Sequence, residues 1–133
     1  MNERVVEDDH RCFCCGKDNP RGLHLSFTYP EEGRAEAEVR IPEYFSGWQE
    51  ITHGGFLAMI LDETMAHACI STGRMGMTAE MQIRFLRPAT VGETVRVRAE
   101  IVATRTRLLE ARGVITNAAG EELARASGRF VKV

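Results

Sequence analysis

Two adjacent acids, Asp62 and Glu63, sit inside a run that is otherwise almost wholly apolar, and His53-Gly54-Gly55 stands nine residues before the first of them. A carboxyl group buried without a partner has a raised pKa, which suits a general base working near neutral pH. Two consecutive glycines let a ligand atom approach the main chain with no Cβ in the way. If a helix starts there, its unpaired N–H groups and positive dipole end suit a developing oxyanion. Donors at a helix start, a polar histidine beside them and a buried acid further along are suited to chemistry at a carbonyl. Gly-Gly alone would equally be a flexible entry turn, and Asp62 could merely bond a neighbour.

The element carrying these residues is a predicted helix from about Gly54 to Ile70, without interior proline or glycine and stopped by Ser71-Thr72-Gly73. Around it the period is two. Strands are expected over 23–28 and 35–41 before the helix, and over 77–85, 94–101, 108–116 and 123–131 after it. The segment 42–52 reads as an irregular loop holding Tyr44, Phe45, Gly47 and Trp48. One helix against a curled, mainly antiparallel sheet of about six strands is an α+β architecture. Apolar residues cover nearly the whole circumference of the helix, so the sheet must curl round it or a second subunit must cover the rest.

Helical phase separates the two acids. Asp62 shares its face with Ala58, Met59, Met65, Ala66 and Cys69, whereas Glu63 lies one turn from His67. Asp62 is therefore expected to be the more buried. Nine residues at 1.5 Å each put it roughly 13 Å along the axis from His53. One carbonyl cannot touch both ends of that gap. If both groups act on one substrate, the acid must come from another copy of the helix.

The 133 residues fit one domain, 1–133, with a cysteine-containing segment over 1–22 packed on it. A net charge of -2 lacks the basic excess of a nucleic-acid binder, and no apolar run reaches membrane-spanning length. The start, Met1 to Arg11, is acidic and polar, unlike an ordinary signal peptide, so a cytoplasmic protein without membrane or nucleic-acid partners is expected. Cys12, Cys14 and Cys15 crowd together and Cys69 stands apart, which disfavours a disulfide framework. Cys12 and Cys15 have knuckle spacing, but a structural zinc needs about four ligands. The nearby His10, Cys14 and His24 stand at no recurrent spacing, and the expectation is reduced thiols and no metal.

Three stretches resemble the hotdog-fold thioesterases, in particular the PaaI-type acyl-CoA branch: Cys12-Phe13-Cys14-Cys15-Gly16-Lys17-Asp18-Asn19-Pro20-Arg21-Gly22-Leu23, then 47–55 running through to Leu61-Asp62-Glu63, then Thr78 to Pro88 with Gly92-Glu93. The resemblance implies hydrolysis of an acyl- or aryl-CoA thioester without cofactor, coenzyme A being part of the substrate. Gly54 would polarise the thioester carbonyl with Gly55 as its neighbour, and His53 would position the thioester or leaving group. Asp62 of the opposing subunit would act as general base or nucleophile, Thr78 would orient water, and Gln49 matches a polar amide of some relatives. Phe85, Leu86, Arg87, Arg105 and Arg107 fall in segments that contact coenzyme A, whose phosphates suit arginine. A homotetramer, a dimer of dimers, is implied, whereas the spacing requires only a dimer. The alternative is a non-catalytic acyl-CoA-binding protein of the same fold. A hydratase of that fold and a zinc-binding interaction protein are further readings.

Overall fold

The computed structural model describes residues 7–133, so the first six residues of the expected N-terminal segment and of the polar start lie outside it. Strand β1 (Arg34–Arg40) is followed by a short 3-10 turn (Glu43–Phe45) and the long helix α1 (Gly54–Ser71). Strands β2 (Gly76–Phe85), β3 (Thr94–Thr104), β4 (Leu108–Thr116) and β5 (Glu122–Lys132) complete one antiparallel sheet in the order β1-β3-β4-β5-β2. The expected strand over 23–28 contributes only an isolated bridge, Thr28 to Glu36. His24 takes a left-handed conformation (φ 51°), and the Leu23 and Leu25 amides bond back to Phe13 and Cys14 instead of to the sheet. Alternation of side chains was correct there, but the backbone groups were already committed to the cysteine segment.

The sheet curls because it must cover a helix that is apolar on most sides. Phe56, Leu57, Ile60, Leu61, Met65, Ala68 and Cys69 are buried, and Thr64 is buried with its hydroxyl donating to the Ile60 carbonyl at 2.6 Å. They meet inward alanines and branched residues of the strands, among them Ala35, Val39, Val97, Ala111, Ile115 and Phe130. Small residues bring the helix close. A Cβ at Gly113 would stand 3.2 Å from Leu61 Cδ2, and one at Gly128 would stand 2.8 Å from Phe130 and 3.3 Å from Met65.

The two edge strands differ. β1 keeps a buried inner face at Ala35, Ala37 and Val39. Along β2 no residue is buried, and only Gly76, Met81 and Ile83 are partly covered. Met77 and Phe85 are more than half exposed on it. Its pairing with β5 shifts register between Thr78 and Glu80, a bulge that re-aims the side chains at that end. The helix residues Ala58, Met59, Asp62 and Ala66 are likewise only half-buried. The curl leaves this flank open.

Because the strand backbone accepts valine, Gly113→Val tests the close approach alone. Overpacking should cost about 1–3 kcal/mol in chemical denaturation at fixed protein concentration.

Candidate active site

Residues at the helix start bond to one another in a way their types allow. His53 is the N-cap: its amide donates to the Phe45 carbonyl at 2.8 Å, and its carbonyl accepts from the Phe56 amide at 3.0 Å. Its ring Nδ1 accepts the Gly55 N–H at 3.0 Å, which leaves Nε2 to carry the proton of the neutral ring. The Gly55 amide is thus taken by the cap. The Gly54 amide has no acceptor among the described residues, and at this position an unpaired donor is normal for a helix. The Phe85 ring stands 3.4 Å from where a Cβ of Gly54 would lie, so the end of β2 walls this corner.

Further along, Asp62 accepts a 2.5 Å hydrogen bond from Thr78 Oγ1 of β2. This links the expected acid to the expected hydroxyl. Both acids are half-buried, and the Glu63 side chain, expected on the less buried face, is only 17% exposed. The cover comes from the N-terminal segment, which helical phase alone does not include. Phe27 stacks on His67 at 3.9 Å, Tyr29 Oη lies 2.7 Å from His67 Nδ1, and His67 Nε2 lies 3.2 Å from Glu63 Oε1. The Cys12 thiol donates to the same carboxylate at 3.4 Å. Burial works to raise the Glu63 pKa, but bonds from His67, Cys15 and Cys12 outweigh it and hold the carboxyl below its usual range. Glu63 is occupied on several sides. Asp62 has one protein partner and an open flank.

Cys14, Cys15 and Cys69 are poor nucleophiles here. Burial, then the Glu63 charge, pushes Cys14 up to about 12, burial raises Cys69 to about 11, and burial and Glu63 raise Cys15 further. Other expected residues lie apart from this pair. Gln49 and Glu50 are both left-handed (φ 45° and 67°) at the tip of an exposed turn closed by Gly47 and Ile51. Trp48 is 86% exposed, whereas Phe56 lies in the core against Phe45. Phe85 and Leu86 are exposed at the Gly54 end. Arg87 bonds the Glu122 carbonyl at 2.7 Å and lies 3.4 Å from Glu121. Arg105 stands 3.7 Å from Glu110, and Arg107 has no side-chain partner among the described residues. The turn holding both abuts Lys132, which pairs with Gly76 at the opposite end of β2. The arginines are therefore split between the two ends of β2, as Gly54 and Asp62 are.

A cleft on the outer, ion-paired face of the sheet, around Arg34, Arg98, Glu100 and Arg112, touches neither Gly54, Asp62 nor Thr78. An open flank, an unpaired helix amide and an acid held by a strand threonine are the features that comparison with other proteins must match. The family model for the thioesterase superfamily matches residues 49–124, a span that includes the loop, all of α1 and the strands down to the start of β5. This chain belongs to that superfamily. It is similar to acyl-coenzyme A thioesterase 13 of Mus musculus, 31% identical over 97 residues that cover 71% of this chain and 69% of that one. It is also similar to the acyl-coenzyme A thioesterase PaaI of Escherichia coli, 27% identical over 104 residues, 76% of this chain and 71% of that one. The solved E. coli PaaI structure superimposes with a TM-score of 0.78 at 23% identity, covering 84% of this chain and 80% of that chain. A Streptococcus pneumoniae thioesterase solved with coenzyme A gives 0.78 at 18% identity, over 82% of this chain and 88% of its own. The fold is the hotdog fold, with five strands wrapping the helix, and the chain is a thioester hydrolase of this superfamily.

The cap makes a separable contribution. His53→Ala should cost about 1 kcal/mol of stability, whereas His53→Asn, which restores a side-chain acceptor, should recover most of it. Thermal and denaturant unfolding of the two variants checks this.

Proposed function

We propose that this thioesterase hydrolyses acyl- or aryl-coenzyme A at a site shared between two copies of the chain. The observation that carries this reading is the placement of the two reactive groups at opposite ends of one exposed edge strand. Thr78 near the start of β2 bonds Asp62, and Phe85 at its end abuts Gly54. A long unpaired edge with exposed apolar residues is an interface in waiting. When such a strand pairs with itself about a two-fold axis, each end lies beside the opposite end of its partner. The Gly54 corner of one copy then receives Asp62 and Thr78 of the partner subunit. The same operation gathers Phe85, Leu86 and Arg87 of one copy with the turn holding Arg105 and Arg107 of the other. That combination would bring exposed apolar surface and forked cations to the coenzyme A phosphates and pantetheine. The tetramer implied by the resemblance would join two such dimers.

In this reading the Gly54 N–H donates to the thioester oxygen and strengthens that bond as the oxygen becomes anionic. The Asp62 carboxylate takes a proton from water held by Thr78, and the resulting hydroxide adds to the carbonyl carbon. Collapse breaks the C–S bond, and the departing thiolate recovers the proton from Asp62. If the carboxylate itself adds, the C–S bond breaks, coenzyme A leaves as its thiolate and the acyl group stays on Asp62 as an anhydride; water then cleaves it, regenerating the carboxylate and supplying the thiolate's proton. Either route needs the same contact between Asp62 and the carbonyl. His53 orients the Gly55 and Gly54 amides through the cap, and its Nε2 faces outward to the thioester. The relatives named above act on acyl-coenzyme A by name, which supports that leaving group for this chain. The acyl pocket would form only between copies, where Met59, Met77 and Met81 offer adaptable apolar surface.

A thiol-release assay across aromatic, short and long acyl-CoAs tests the activity. Asp62→Asn should lower kcat by about 10²–10⁴ while the oligomer persists. Glu63→Gln should lose less than about tenfold, a drop below the reach of one lost general base. Loss of turnover in Glu63→Gln with Asp62→Asn unaffected would contradict the assignment. Ligand-induced stabilisation without thiol release by the wild type would favour the binding-protein reading.

Gly54→Pro removes one donor and little else, because proline suits the first helical position and His53 before it is already extended (φ -58°, ψ 131°). The expected fall in kcat is about 10²–10³, read in the same assay.

A further inference from the structure

The thioesterase site makes no use of the cysteine turn, which the fold nevertheless shapes closely. Its conformation is fixed by Gly16, whose amide bonds the Cys12 carbonyl at 2.9 Å. A Cβ at position 16 would lie 2.4 Å from the Cys12 nitrogen and 2.6 Å from the His10 carbonyl oxygen. The turn presents both Cys12 and Cys15 to the same side chain of α1. One ligand atom each from Cys12, Cys15 and Glu63 lies within 4.8 Å of the others, and all three residues are partly buried. The sequence pointed away from metal because the nearby His10, Cys14 and His24 stand at no recurrent spacing. Glu63 is 51 residues away and is brought in by the helix.

We propose that Cys12, Cys15 and Glu63 bind one thiophilic divalent cation of the zinc type, which clamps the N-terminal segment to α1. A tetrahedral ion of this kind holds sulfur at about 2.3 Å and carboxylate oxygen at about 2.0 Å, so its donors stand roughly 3.5–3.8 Å apart. The Cys12 sulfur to Glu63 oxygen distance is already 3.4 Å. Binding exchanges two thiol protons for the cation, with Glu63 contributing its carboxylate and water the open position. The support behind the ligand is in place too. His67 Nε2 bonds the same Glu63 oxygen, Oε1, that the Cys12 thiol reaches, and His67 is itself held by Tyr29 and stacked on Phe27, an arrangement that orients a metal-ligating carboxylate. A clamp also has a mechanical reason. Between residues 7 and 33 only Cys14 and Gly16 are buried, and no regular strand or helix anchors the segment. A cation linking it to the helix would add to the cohesion that the half-buried Leu23, Leu25 and Phe27 supply against the core.

The test uses the full chain, purified under reducing conditions, stripped with a chelator and reloaded with Zn²⁺ or Co²⁺. One metal per chain and a thiolate-to-cobalt charge-transfer band are expected, abolished in Cys12→Ser and Cys15→Ser and kept in Cys69→Ser. His67→Ala should weaken Zn²⁺ binding about 10–100-fold. If Cys12→Ser does not fold by circular dichroism, Glu63→Gln asks the same question, with a loss of at least about tenfold in affinity supporting the site. Absence of the band in folded wild type, its persistence without Cys12, unchanged affinity in Glu63→Gln, or an intact mass showing a Cys12–Cys15 disulfide would each overturn it. None of these readouts depends on turnover.

Discussion

A helix is rigid, and that rigidity governs the site. Eight residues of α1 separate the Gly54 amide from the Asp62 carboxylate, roughly 12 Å along the axis. No side-chain rotamer closes such a gap around one carbonyl. The sheet cannot help from within the chain either, because β2 runs beside both groups and meets each at a different end. The proposed shared site closes the gap by a symmetry operation that would bring the two ends of two copies together. The exposed β2 and the half-buried helix flank are, in the proposed shared site, the surfaces that a second copy would cover.

The apolar interior explains why the helix can carry polar chemistry at all. Its buried stripe, repeating at one-turn spacing from Phe56 to Cys69, is packed against small sheet residues that allow close approach. That packing fixes the phase of the helix, and the phase points Asp62 away from the sheet centre and toward Thr78. At the helix start the cap fixes which amide is free. His53 takes the Gly55 N–H, so the donor left for a substrate is the Gly54 N–H, the one whose lost Cβ faces Phe85.

Much of this was legible in the residues. The helix bounds, its all-round apolar character and four following strands came directly from a period of 3.6 changing to two. Asp62 and Thr78 were each named through family resemblance, but their hydrogen bond appears only in the fold, since nothing in spacing brings residues 62 and 78 together. Two features escaped periodicity for a shared reason. Residues 23–28 alternate like a strand, yet the Leu23 and Leu25 amides go to the cysteine turn, and Glu63, expected on the less buried face, is half-buried under that same segment. Periodicity records which side chains prefer burial; it does not record which distant segment covers them. The cysteines, Phe27 and Tyr29 were visible, but their common target on α1, the Glu63–His67 pair, appears only after folding.

The shared site is tested most directly by mixing two variants that are each inactive alone, Gly54→Pro and Asp62→Asn, after dissociating and reassociating the subunits. In a mixed dimer one site has an intact Gly54 amide from one copy and an intact Asp62 from the other. Random reassociation makes half the dimers mixed, so about one quarter of wild-type turnover should return. No recovery from a mixture shown to contain mixed dimers would mean that both groups act within one chain, and the two-copy site would be wrong.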